Sequence, residues 1–151
     1  MKNLIFVFFV SLIICCTSIP KEENVSQDMQ VIDMVQKAQE AFEVNNYRSA
    51  KKWYEIILHR FGDIKSVAVE SEYEIAHILV KQRKWKDAYI LLKKVILQYE
   101  AKDGMKLPPE FYKLAKMDYE KVVKKLPASY IEKMEKEEKE SLQQIELEPL
   151  E

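Results

Sequence analysis

The chain is 151 residues long, about one domain's worth, and its 32% charged and 48% hydrophobic residues allow a buried core beneath a solvated surface. A formal net charge of −1 gives no reason to invoke nucleic acid, which usually needs a clear basic excess. With two glycines, prolines only at 20, 108, 109, 127 and 149, and few alternating β-branched runs, an all-α chain is expected.

Met1-Lys2-Asn3 carries one positive charge, and Leu4 to Ile14 is apolar apart from Ser11. This reads as a secretory signal peptide over residues 1–15, too short to span a bilayer comfortably. Its end, Leu12-Ile13-Ile14-Cys15-Cys16, resembles the lipobox of bacterial lipoproteins, which implies acylation of a cysteine by diacylglycerol and a palmitate-like chain. Cys16 fits better than Cys15, because the preceding position should be small and Ile14 is large. Gly, Ala or Ser usually precedes the modified residue, so the choice between the two cysteines stays open. Both cysteines lie here, leaving none for a disulfide or metal site in the mature chain. Residues 16–27 read as a lipidated tether. Thr17 stands where an aspartate would signal inner-membrane retention in many Gram-negative lipoproteins, so the outer membrane is favoured.

A repeated helical body is expected over 28–126. A first helix runs over about 28–44, with Met34, Ala38 and Ala41 on one stripe and Ile32, Val35, Gln39 and Phe42 beside it. Asn45-Asn46 marks a turn, with Asn46 able to cap the next helix. That second helix, about 47–61, places Ala50, Trp53, Tyr54, Ile57, Leu58 and Phe61 on one face. His59 and Arg60 suit the negative end of its dipole. Gly62 then supplies a left-handed stop and Asp63 an N-cap. A third helix spans about 64–82, and Ala76 repeats Ala38. In the fourth, Ala88, Leu91, Leu92, Val95, Ile96 and Tyr99 reproduce the stripe of the second, every member at the same offset as Ala88 from Ala50. Pro109 suits the first turn of a fifth helix, where Ala115 continues the series of Ala38 and Ala76. The small residues allow helices to cross closely; bulk there would cost roughly 1–3 kcal/mol. A charged, solvent-exposed and partly frayed capping helix is expected over 129–146, within a C-terminal segment 127–151 whose last residues, 147–151, are expected to be disordered.

Helix-turn-helix units with small residues at the crossings and an aromatic near the turn resemble tetratricopeptide repeats. The resemblance covers roughly 30–125, about two and a half units. Longer repeats directly behind a lipobox look like the BamD family of outer-membrane β-barrel assembly lipoproteins. The carrying residues are Asn46-Tyr47-Arg48-Ser49-Ala50 with Arg60-Phe61, and Glu74-Ile75-Ala76 leading to Trp85-Lys86-Asp87-Ala88. The proline that often closes each repeat is here Gly62 or Glu100. The resemblance implies a TPR-like α-solenoid, lipid-anchored on the periplasmic face of the outer membrane. It implies a protein partner, a barrel-assembly protein with periplasmic domains, and a scaffold rather than an enzyme. Two other readings are a periplasmic scaffold for cell-envelope or peptidoglycan enzymes and a surface-exposed lipoprotein.

In stacked hairpins the first helix of each unit lines a groove. Gln39, Tyr73, His77, Tyr112 and Lys116 are the candidate partner-binding residues, whereas Phe42, Val80 and Tyr119 are expected to complete the core. His59 and His77 fall on different helices without an acidic ligand set, no glycine-rich phosphate loop can be drawn, and no nucleophile stands out. No metal, cofactor, nucleic acid or small-molecule substrate is expected. Lys81, Arg83, Lys84 and Lys86 form a charged turn that could also meet anionic headgroups.

Overall fold

A computed structural model of the chain describes residues 18–102 and 104–147. The expected signal peptide, Cys16, Thr17 and the final residues 148–151 lie outside the described residues. Six helices follow in order: α1 Val31–Glu43, α2 Tyr47–Phe61, α3 Lys65–Lys81, α4 Trp85–Glu100, α5 Pro109–Val123 and α6 Ala128–Leu147. Among the described residues there is no strand. From α1 to α5 each helix packs on the next, and α3 also touches α5. The fold is therefore an all-α stack of antiparallel hairpins, with α1, α3 and α5 in one layer and α2 and α4 in the other.

Two turns set this geometry. Asn45 and Arg83 occupy the same position of successive repeats, and both have φ of 58°. After α1 the Asn45 amide donates to Phe42 O at 2.9 Å and the Asn46 amide to Ala41 O at 2.8 Å. After α3 the Arg83 amide donates to Val80 O at 3.0 Å and the Lys84 amide to Leu79 O at 2.9 Å. Both are Schellman closures, which satisfy the last carbonyls of one helix while reversing the chain into the next. Asn46 then caps α2, its side-chain oxygen accepting from the Ser49 amide at 3.2 Å. The expected left-handed stop at Gly62 does not occur: its φ is −63°. Glycine is needed there for space, because a Cβ would overlap the Leu58 carbonyl oxygen. Nor does Asp63 cap α3; Ile64 holds that position without a side-chain cap.

The alanines work as the spacing implies. Ala38, Ala50, Ala76, Ala88 and Ala115 are all fully buried, so backbones meet where side chains end at a methyl. Around them α3 forms the middle of the core through Val69, Ile75, Ile78 and Leu79, between Tyr54 of α2 and Leu92 of α4. Ile32 is the exception on α1, at 72% exposure.

The third turn breaks the pattern. Lys124 stays right-handed, with φ of −65°, and the Lys125 and Leu126 amides bond back to Val122 and Val123 at 2.9 and 3.2 Å. Without a left-handed residue and with Pro127 following, α6 does not fold back onto α5 as α4 does onto α3. It lies along α4 instead: the Tyr130 ring meets Tyr89 edge-on at 6.0 Å, Lys86 sits 5.1 Å over Tyr130, and Lys93 pairs with Glu138. On α5, Leu114 and Met117 are 39% and 48% exposed, whereas their counterparts Ile75 and Ile78 are 6% and 0% exposed.

The segment expected to be a tether is docked from Glu22 onward. Glu22–Asn24 forms one 3-10 turn and Val25 is buried. Arg60 holds it: Nη1 donates to Ser26 O at 2.8 Å, and Nη2 to Val25 O at 3.0 Å and Glu22 O at 3.2 Å. Glu22 also meets His59 Nδ1 at 2.7 Å, and that hydrogen bond holds its carboxyl below the usual range. Because the Arg60 side chain is only 11% exposed, Arg60→Ala removes three hydrogen bonds and leaves the Val25 carbonyl without a partner, the Glu22 and Ser26 carbonyls keeping the Val25 and Met29 amides. It is expected to weaken docking by about 1–3 kcal/mol. Tryptic cleavage after Lys21 should become faster in this variant. Unchanged cleavage kinetics would contradict the clamp.

Candidate functional site

The most concentrated polar chemistry lies where α3 meets α5. Position 118 stands in the repeat register of Ala41 on α1 and Leu79 on α3, so the repeat puts an apolar residue there twice and an aspartate the third time. Phe111, Ala115, Asp118 and Val122 share one face of α5. Phe111 meets the Tyr73 ring at 5.7 Å. Asp118 is 2% exposed. Its Oδ2 meets His77 Nδ1 at 2.5 Å and accepts from the Tyr73 hydroxyl at 3.4 Å, while Oδ1 accepts from Lys121 Nζ at 2.8 Å. His77 is itself held between two rings, Phe42 of α1 at 5.6 Å and Tyr73 at 5.9 Å. One imidazole thus links all three helices of the layer.

Burial works against ionisation of Asp118, but the hydrogen bonds from His77 and Lys121 outweigh it and hold its carboxyl below the ordinary value. Nearby carboxylates are pushed the other way. Burial raises Glu74 against the pull of His77, with Glu70 and Asp118 adding repulsion. Burial also raises Glu70, with Glu110 contributing. The face is therefore acidic around one satisfied carboxylate. The Tyr73 hydroxyl is driven upward by burial and by Asp118, so it acts as a donor.

The structure separates the five candidate groove residues. His77 lies on the α3–α5 seam with 23% of its side chain exposed. Tyr73 is a correction: at 4% exposure it belongs to the core and presents no groove surface. Gln39 is exposed on α1. Tyr112 and Lys116 lie on a different face of α5 from Asp118. The Tyr112 ring meets Tyr99 of α4 at 5.1 Å, its hydroxyl donates to Glu100 at 3.4 Å, and Lys116 lies 5.2 Å over it. The repeat register carried Tyr73 to Tyr112 correctly in sequence, but among the described residues no further first helix stands beyond α5 to receive the latter. Phe42 and Val80 pack against the core as expected, and so does Tyr119, stacked on Tyr89 at 5.3 Å. Asp118 escaped the reading of the sequence; its departure from the apolar register at 41 and 79 was the available signal.

A carboxylate that orients an imidazole is half of a nucleophile-activating arrangement. Here the groups bonded to it are Tyr73 and Lys121, so the cluster's chemistry is positioning and ion pairing. Among the described residues no cluster of three His, Cys, Asp or Glu could hold a metal ion, and no helix is long and apolar enough to cross a membrane. A separate apolar groove of about 480 Å³ lies between α4 and α6, with Ile90, Leu97 and Met134 in its wall.

No protein-family model matches the chain, and no solved structure matches it. It is similar to a protein of Treponema pallidum (strain Nichols) described as uncharacterized, with 39% identity over 119 residues. The match covers 79% of this chain and 46% of the relative, so the chain spans about half of that relative's length.

Asp118 yields a paired expectation. Asp118→Ala removes one partner from a buried network and should cost about 1–3 kcal/mol, limited because Lys121 can be rehydrated. Asp118→Leu restores the residue found at position 79 and refills the space, but it also takes the acceptor from the Tyr73 hydroxyl and His77, so at neutral pH it should lie between Asp118→Ala and the native chain. A carboxylate whose folded pKa is depressed stabilises above its unfolded value of about 3.9 and loses that contribution as pH falls through the folded one. Urea unfolding should therefore show Asp118→Leu gaining on the native chain below about pH 4. Equal acid sensitivity of both proteins would refute the assignment.

Proposed function

We propose that the protein is a membrane-anchored protein-binding scaffold, an accessory lipoprotein of outer-membrane β-barrel assembly similar to the BamD family. The reading rests on the repeat register, on the lipobox-like Leu12-Ile13-Ile14-Cys15-Cys16, and above all on one observation in the fold. Leu114 and Met117 stand uncovered on α5 at positions that the preceding repeat buries. A stack that stops with its next apolar contact open is suited to receive a helix or strand of another protein. Acylation at Cys16 would hold that surface beside an integral partner, so modest intrinsic affinity suffices.

The partner expected is a barrel protein with periplasmic domains. A photo-crosslinker placed at Met117 should capture it in cells, and one at Glu137, on the exposed side of α6, should not. The double variant Leu114→Glu, Met117→Glu, which leaves the core untouched, should lower recovery about tenfold or more, as loss of roughly 1.4 kcal/mol or more implies. Capture of soluble peptidoglycan enzymes alone would replace this reading with that of a wall-enzyme scaffold. Cleavage of the protein by protease added to intact cells would put it on the outer surface.

A further inference from the structure

Antiparallel hairpins bring the α1–α2, α3–α4 and α5–α6 turns to one end of the stack, and that end is basic. Two shallow concavities there share Lys84: one has Arg48, Lys52 and Ile19 in its wall, the other Arg83, Lys86 and Lys125. Together they carry seven cations against two carboxylates, Glu55 and Asp87, in a chain whose net charge is −1. Of those carboxylates Glu55 is already paired with Lys51 and Lys52. Apolar side chains are mixed with the charge: Ile19 is 43% and Val44 61% exposed.

Two further observations bear on what this end meets. Arg83 holds a left-handed conformation, φ 58°, where asparagine stands in the first repeat and where residues other than glycine, asparagine and aspartate are disfavoured by their Cβ. A cation kept at a strained turn points to a use for the charge. Direction of the chain is the second. Ile19 lies by Arg48 and Lys52 in the first half of α2, and Glu22 and Ser26 lie by Arg60 in its last turn. The chain thus enters the described structure from the basic end, with Cys16 shortly before Ile19 in the sequence.

We propose that this end of the stack is a docking surface for a bilayer rich in anionic phospholipid, the cations meeting headgroup phosphates while Ile19 and Val44 enter the interface. The surface is independent of acylation, since it is built from folded residues 19–125; it would orient the helices away from the membrane and present the α5 flank sideways. Mixed basic and apolar side chains favour a lipid interface over a dissolved polyanion.

The full chain carrying Cys15→Ser and Cys16→Ser, so that no lipid is attached, should partition more strongly into phosphatidylglycerol–phosphatidylcholine vesicles than into pure phosphatidylcholine, with the excess falling as salt rises. Replacing Arg48→Gln, Arg83→Asn and Lys84→Asn gives the second turn the Asn-Asn of the first, so the fold is retained. At about fivefold per surface cation, this variant should lose about 100-fold of the phosphatidylglycerol-dependent partition. A control removing equal charge elsewhere, Lys37→Ser, Lys102→Ser and Lys113→Ser, should keep it. In a Trp53→Phe background the remaining Trp85 should be quenched by headgroup-labelled nitroxide lipid. Equal loss in both triple variants, an unquenched Trp85, displacement by inorganic phosphate at constant ionic strength, or tighter binding to an oligonucleotide than to vesicles would each overturn the proposal.

Discussion

The structure depends on a backbone constraint at two residues. Asn45 and Arg83 turn left-handed so that each first helix ends with its carbonyls satisfied and the chain reversed. The reversal fixes where the second helix begins. This in turn brings Ala50 onto α1 and Ala88 onto α3 at crossings that admit only a methyl. Because the two turns are alike, the two hairpins share one register, and the buried side chains of the first recur in the second at a constant offset, Ala50 as Ala88 and Ile57 as Val95. Where the left-handed residue is missing, after α5, the pattern of reversal ends: α6 departs along α4, and on α5 itself Leu114 and Met117 are exposed where Ile75 and Ile78 are buried.

Much of this was legible in the sequence because it is written as spacing. The alanines, the aromatic at the start of each second helix and the boundaries of α2 follow from periodicity and a cap at Asn46. What spacing does not encode is the sign of φ. Glycine was the natural candidate for a left-handed stop, yet Gly62 remains right-handed and serves to let the Leu58 carbonyl approach. The left-handed positions fell to an asparagine and an arginine, and arginine carries no local signal for that conformation. Arg60 was legible as a charge near a helix end. Its three carbonyl partners lie far earlier in the chain, at Glu22, Val25 and Ser26, in a segment without periodicity.

The candidate site was half legible for a related reason. Register correctly placed His77 on the first-helix layer, but register predicts likeness, and the site is made by a departure from it. Asp118 occupies a slot that is apolar in the two preceding first helices. Burial there is tolerable only because His77 and Lys121 supply hydrogen bonds that outweigh the desolvation. For Glu70 and Glu74 burial prevails instead, and their raised pKa values record the cost of holding charge in the same face. A group with a raised folded pKa favours the native state below its unfolded value and ceases to as pH rises through the folded one. These two glutamates therefore oppose Asp118 in the acid range, and the net acid response of the fold reflects their competition.

Charge and apolar surface are sorted by the same geometry. Turns collect at the ends of a hairpin stack, and helix flanks lie along its sides. The basic residues cluster among the turns joining first to second helices, where Arg83 carries a left-handed backbone that its Cβ disfavours. The uncovered apolar residues Leu114 and Met117 lie on a flank, at right angles to that end. A molecule oriented by its charged end would therefore hold its open apolar flank perpendicular to the surface that orients it, facing sideways along the membrane. Since α-helices of 15 residues extend about 22 Å, this flank would stand within reach of domains projecting only a short distance from the bilayer. Binding to such a domain and orientation on the lipid would then reinforce one another without either surface overlapping the other.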